Sequence, residues 1–127
     1  MLFAVLSFPH IATSKTDLVA QFHPCFFGEE CTPQEYAEEK VERMFGEGAF
    51  YAFNAIVEKE SKWLATAQNP HSTAYGIGQF LDSTWGLVGY KKTSDPYEQI
   101  DAMVEYIRAM YGTPQQALRQ HMTHNWY

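Results

Sequence analysis

One carboxylate stands where the sequence pattern calls for an apolar side chain. At about 100° per residue, the segment from Ala49 to Leu64 gathers Ala49, Phe50, Phe53, Ile56, Val57, Trp63 and Leu64 into one apolar sector, and Glu60 falls in its middle. Glu58, Lys59 and Lys62 fall outside that sector, where a charged side chain is solvated and unremarkable. A carboxylate buried without a partner is costly and neutralises by raising its pKa. A carboxyl that stays protonated near neutrality is what a general acid requires. The helix alone leaves two readings: an acid opening onto a cleft, or a buried residue satisfied by backbone amides or by a base such as Lys91 or Arg108.

The elements that must position Glu60 announce themselves through their caps. Thr32-Pro33-Gln34-Glu35 combines a Thr N-cap, a Pro at the first helical position and a Glu three residues after the cap. It opens a helix over about 33 to 45, stopped at Gly46. The segment carrying Glu60 reads as a helix over about 48 to 64. Asp95-Pro96-Tyr97-Glu98 opens a third helix that ends at Gly112, and Thr113-Pro114-Gln115-Gln116 opens a fourth that ends near His124. Between Gln68 and Gly89, Asn69-Pro70 and the glycines 76, 78, 86 and 89 predict a loop with at most short helical turns near Gly78 to Trp85. The pattern is that of a mainly α fold with little or no sheet.

The chain has 127 residues, with 9 Lys and Arg against 15 Asp and Glu, so its formal charge at pH 7 is −6. That balance argues against nucleic acid, whose phosphates need a basic patch. With 46% hydrophobic and 19% charged residues, the chain reads as folded rather than disordered. Aromatic residues reach 16%, which suggests a tight core or a ligand-stacking cleft. The opening MLFAVLSFPH is too short to span a bilayer; it reads as a buried strand or extended arm, or as a degenerate signal peptide. Residues 1–31 read as an irregular lead-in and 32–127 as the folded domain. Cys25 and Cys31 leave two readings, a disulfide or free thiols, if the protein is exported, and are ordinary thiols otherwise.

Residues Glu60-Ser61-Lys62-Trp63, the loop Gln68-Asn69-Pro70 through Ala74-Tyr75-Gly76-Ile77-Gly78-Gln79-Phe80, and Ser83-Thr84-Trp85 resemble the signature of the lysozyme-like lytic transglycosylases. The closing Tyr106-Ile107-Arg108-Ala109-Met110-Tyr111-Gly112-Thr113-Pro114 and His124-Asn125-Trp126-Tyr127 are similar to the small single-domain and phage-associated members. The resemblance covers roughly residues 40 to 127. It implies a lysozyme-like fold of about four to six helices, peptidoglycan glycan strands as substrate, action at the bacterial cell wall, and an association with a phage particle as one setting. With no nucleotide fingerprint, phosphate loop or Gly-x-Ser-x-Gly in the sequence no cofactor is implied, and the short apolar start gives no integral membrane segment. A hydrolytic lysozyme, or a non-catalytic glycan-binding or virion component of the same fold, is the alternative.

The resemblance makes Glu60 the single acid/base for the β-1,4 bond between N-acetylmuramic acid and N-acetylglucosamine, with a 1,6-anhydro product. It places Gln79 in the glycan cleft and groups Ser61, Tyr75, Gly76, Gly78 and Tyr106 with it as substrate-binding residues. Gly76 and Gly78 permit close backbone approach and positive φ. Gln79 offers a donor and an acceptor to an N-acetyl or hydroxyl group, with a loop-capping amide as its plainer role. Tyr75 either bonds the saccharide or packs. Trp63 and Trp85 read as core or cleft-wall aromatics. With Phe50, Phe53, Phe80 and Tyr111, these rings suggest the lining of a groove.

The family's Ala-Tyr-Asn triplet is absent, which leaves the tyrosine partner of the acid unassigned. Asp82 reads as a surface turn, and Asp101 and Glu105 as solvated charges off the apolar face formed by Ile100, Met103, Val104, Ile107, Met110 and Tyr111. His121 and His124 read as helix-end side chains facing the C-terminal dipole rather than metal ligands. No metal is implied there or at His23, Cys25 and Cys31.

Overall fold

The computed structural model describes Cys25 and residues 30–125. The expectations for MLFAVLSFPH and for His23 lie outside these residues, as do Trp126 and Tyr127. Among the described residues five helices follow one another: α1 over Pro33–Phe45, α2 over Ala49–Glu60, α3 over Asp82–Leu87, α4 over Pro96–Met110 and α5 over Pro114–His124. Among the described residues there is no strand, only isolated bridges from Tyr75 to Gln68 and to Phe80. The fold is mainly α, in the lysozyme-like manner expected. No helix is long and apolar enough to cross a membrane among the described residues. Cys25 and Cys31 form a disulfide, with Cα atoms 5.5 Å apart.

Local chemistry accounts for three of the helix starts. Thr32 and Glu35 form a reciprocal capping box, the Thr32 N–H donating to Glu35 Oε2 at 2.8 Å and the Glu35 N–H to Thr32 Oγ1 at 3.2 Å. Asp95 accepts from the N–H of Tyr97 at 2.8 Å, and Thr113 from that of Gln116 at 3.2 Å. Each is followed by a Pro that has no N–H to leave unsatisfied.

Helix α2 runs through the core. Ala49, Phe53, Ile56 and Val57 are fully buried against Val41 of α1, Ile100, Met103 and Ile107 of α4, and Ala117 of α5. Three expectations fail here for physical reasons. The helix stops at Glu60 rather than near Leu64, because Lys62 and Trp63 turn into the left-handed region at φ 51° and 64°. Leu64 is therefore thrown outward and is 56% exposed. Met110, expected on the buried face of α4, is 54% exposed at the last turn of that helix. Asp101, expected as a solvated charge, accepts from the Tyr36 hydroxyl at 2.7 Å and pairs with Lys40 at 2.8 Å, tying α4 to α1. Asp82 is exposed at the start of α3 and pairs with Lys92, and Glu105 pairs with Arg108 on the exposed side of α4.

Candidate active site

Glu60 is the last residue of α2, and the chain leaves the helix immediately after it. The turn is held from two sides: the Ser61 hydroxyl donates to the Ile77 carbonyl at 2.8 Å, and the Trp63 indole N–H donates to Asn54 Oδ1 at 2.9 Å. Four non-glycine residues have positive φ among the described residues, namely Lys62, Trp63, Gln79 and Asn125. Two follow Glu60 within three positions and the other two line its cleft. Such conformations cost of order 1–3 kcal/mol each and collect where function demands a particular backbone path.

The Glu60 side chain is 19% exposed, at the edge of a cleft of about 390 Å3. Gln79, Phe80, Tyr106, Asn69 and Asn125 share the cleft wall, and Gly78 contributes backbone to it. Glu60 Oε1 lies 2.9 Å from His121 Nε2 on α5. Burial pushes the Glu60 carboxyl above its ordinary range, and the His121 imidazole offsets part of that rise through its charge and its hydrogen bond. The carboxyl that the helix pattern singled out is thus half sheltered, open to a cleft on one side and bonded to one histidine on the other.

The loop before α3 is pinned by its own polar groups. The Gln79 side-chain amide donates to the carbonyls of Ala67 at 3.0 Å and Gly76 at 2.9 Å. Both partners are acceptors, so the nitrogen faces them, leaving the Gln79 Oε1 as an acceptor. Gln99, 2% exposed within α4, accepts from the Ile77 N–H at 2.9 Å and donates to the carbonyls of Ala65 at 2.8 Å and Thr93 at 2.7 Å. Gly76 lies directly on this amide at φ +81°, and a Cβ there would meet Gln99 Nε2 at 2.6 Å. The glycine serves the close approach of loop and helix, since only a residue without Cβ fits.

The structure therefore separates the expected site residues into two groups. Glu60, Gln79, Gly78 and Tyr106 come together around the cleft. Ser61 is buried beneath it as a tether, Gly76 is packed on Gln99, and Tyr75 donates to or accepts from Ser94 Oγ at 2.6 Å with its ring 5.3 Å from the Lys92 ammonium. None of these three lines the cleft wall. The aromatic surplus divides similarly. Phe50 stacks on Phe53, and Trp63 packs tilted against both, whereas Phe80 joins Trp85 at 5.3 Å to Tyr106 at 5.1 Å, bringing rings up to the cleft. Behind Tyr106, the Tyr111 hydroxyl is pushed up to about 12 by burial and then by its Tyr106 neighbour.

A family model of the transglycosylase SLT domain matches residues 46–125, from the turn before α2 to the end of α5. The chain belongs to the transglycosylase SLT domain family. No curated protein and no solved structure matches it. An SLT domain carries peptidoglycan lytic transglycosylase-type activity, which sets the substrate class as the cell-wall glycan.

His121 is the site residue that sequence reasoning missed in this SLT domain. Its position at the end of the last helix suggested a dipole contact, whereas its ring is 9% exposed and turned to Glu60. The available signal was its register with Pro114 and Ala117, both buried on the face of α5 that packs on α2. A histidine on a buried face requires a polar partner. Lys91, offered as a partner for the acid, is exposed, and Arg108 is engaged by Glu105.

Proposed function

We propose that this SLT domain is a lytic transglycosylase in which Glu60 is the single acid/base, cleaving the β-1,4 bond between N-acetylmuramic acid and N-acetylglucosamine. The observation that carries the reading is that Glu60 is the one carboxylate on the cleft wall among the described residues. Glycosidases that bring water to the anomeric carbon use two carboxyl groups, one as acid and one as base or nucleophile. With a single carboxyl, the second function falls to the substrate. Glu60 protonates the glycosidic oxygen as the bond to the anomeric carbon breaks. The resulting carboxylate then takes the proton of the muramoyl 6-hydroxyl, whose oxygen closes on the anomeric carbon. The product is a 1,6-anhydro ring, Glu60 recovers its proton, and no water is consumed.

The surroundings of Glu60 suit both halves of this cycle. Burial keeps the carboxyl protonated further towards neutrality than an exposed glutamate, which favours the acid step. The bond from His121 favours the carboxylate once the proton has left. Gln79 Oε1 supplies an acceptor for an N-acetyl N–H or a hydroxyl, and Tyr106 and Phe80 supply apolar wall for a sugar face.

The test is digestion of purified peptidoglycan, with the soluble fragments weighed by mass spectrometry. Wild-type protein is expected to release anhydro-muramoyl fragments, each lighter by one water than its hydrolytic counterpart. Glu60→Gln is expected to release none while keeping the wild-type helical signal. Release undiminished in Glu60→Gln overturns the assignment of the acid, and products with only reducing ends replace the transglycosylase with a hydrolytic lysozyme.

A further inference from the structure

We propose that His121 is a positioning residue for the acid: its Nε2–H holds Glu60 Oε1 against α5, so that Oε2 is the oxygen that carries the catalytic proton to the cleft. The proposal rests on Glu60 being the acid/base. It begins from the unequal surroundings of the two carboxyl oxygens. Oε1 is 2.9 Å from a ring nitrogen that is almost fully enclosed, whereas Oε2 has no hydrogen-bond partner among the described residues and belongs to a side chain on the cleft wall. No helical turn continues past Glu60 to flank its side chain, because beyond Ser61 the left-handed Lys62 and Trp63 turn the chain away. The orienting contact comes instead from 61 residues further along the chain.

The tautomer follows from the chemistry. With the ring proton on Nε2, the histidine donates to Oε1 whether Glu60 is neutral or ionised, so the same contact survives both proton transfers. With the proton on Nδ1, Nε2 would draw the carboxyl proton away from the substrate. The Nε2–H form therefore leaves the acid proton on Oε2 and strengthens its contact as negative charge develops, which is the differential stabilisation that lowers a barrier. Around the pair, α2 contributes Glu60 itself, and α4 contributes Tyr106 on the same cleft wall, while Glu105 and Arg108 of α4 pair with each other on its exposed side. On α5, His124 turns its Nδ1 to the Gln120 carbonyl and Arg119 is exposed. Of the titratable groups among the described residues, His121 is the one that acts on the ionisation of Glu60.

Two variants test the proposal on the intact chain. His121→Leu removes the donor, whereas His121→Gln places an amide N–H near the position of Nε2. His121→Leu is expected to lower kcat roughly ten- to a hundredfold, the rate equivalent of one hydrogen bond to a charged group, with KM within about twofold of wild type. His121→Gln is expected to recover most of that loss. In His121→Leu the alkaline limb of kcat/KM moves to higher pH, because the hydrogen bond that lowers the Glu60 pKa is gone, and in His121→Gln, which keeps a donor, it moves less. Wild-type kcat in His121→Leu overturns the proposal. So does an unmoved alkaline limb in His121→Leu with activity falling only as the folded fraction falls. Should His121→Leu not fold, His121→Gln alone decides: kcat within a few fold of wild type is expected, and a loss of about a hundredfold in folded protein overturns the proposal. Persistent turnover in Glu60→Gln is a separate result, which removes the acid/base assignment rather than the contact.

Discussion

At the scale of the residue, the site turns on a conflict that α2 cannot resolve by itself. Glu60 lies on the buried stripe of an otherwise apolar helix, and its carboxyl is held above the ordinary value of 4.5, first by burial and then with His121 pulling the other way. This has a consequence for stability with a definite sign. Below the ordinary value the carboxyl is protonated whether the chain is folded or not. As pH rises from there towards the raised folded value, the unfolded chain loses its proton first, the folded state binds more protons, and stability falls. Glu60→Gln removes that penalty while keeping an oxygen for the His121 Nε2–H. Glu60→Gln is therefore expected to melt above wild type at pH 7 and to lose that advantage below about pH 4, as measured by thermal unfolding at both pH values. A variant that melts below wild type at pH 7 would mean that the His121 contact outweighs burial. Glu60 was legible in the sequence because a charge inside an apolar stripe breaks a simple periodicity. Gln79 was legible from the sequence as either a cleft residue or a loop-capping amide, and the structure shows the capping, its nitrogen on the carbonyls of Ala67 and Gly76, which the sequence could not place.

At the scale of the element, legibility follows whether a helix ends by local or by distant chemistry. The starts of α1, α4 and α5 were readable because their caps lie within three residues of the groups they satisfy. Helix α2 has no such cap: its N-cap is Gly48, in the left-handed region and without a side chain. Glu42 of α1 does the work instead, accepting from the N–H of Gly48 at 2.6 Å and of Phe50 at 2.9 Å. A carboxylate there also meets the positive end of the α2 dipole. The far end of α2 is fixed by Ser61 on the Ile77 carbonyl in the next loop and by Trp63 folding back on Asn54 of α2 itself, contacts no capping pattern announces, which is why the pattern alone carried the helix four residues too far. Glu42→Ala is expected to destabilise the fold by about 1–2 kcal/mol in chemical denaturation. At temperatures where the variant stays folded, kcat should match wild type, because Glu60 is at the opposite end of the helix. A selective fall in kcat would show that the α2 start is coupled to the acid.

At the scale of the whole molecule, the cleft is a junction between pieces that the sequence describes well one at a time and poorly together. The helical period tells which face of α5 is buried and which face of α4 is apolar, but not what meets those faces. His121 and Gln99 were both missed for that reason: each is a polar residue on a buried helix face, and the partner that makes it tolerable is far off in the chain. Gln99 is the clearer structural case. Its one amide links the chain after Glu60 at Ala65, the glycine loop at Ile77 and the approach to α4 at Thr93, all by backbone groups. A buried backbone group left without its partner costs about 1–3 kcal/mol, and Gln99→Leu strands all three while keeping a side chain of similar bulk. The expected outcome is a loss of about 3 kcal/mol or more in stability, with fast hydrogen exchange at the Ile77 amide appearing under conditions where amides of α2 remain protected. Because Ile77 anchors Ser61 from below and Gly78 and Gln79 follow it into the cleft wall, peptidoglycan release by the folded variant should fall further than its stability loss explains. Full activity with slow Ile77 exchange would mean that the loop keeps its shape through Ser61 and Gln79 alone.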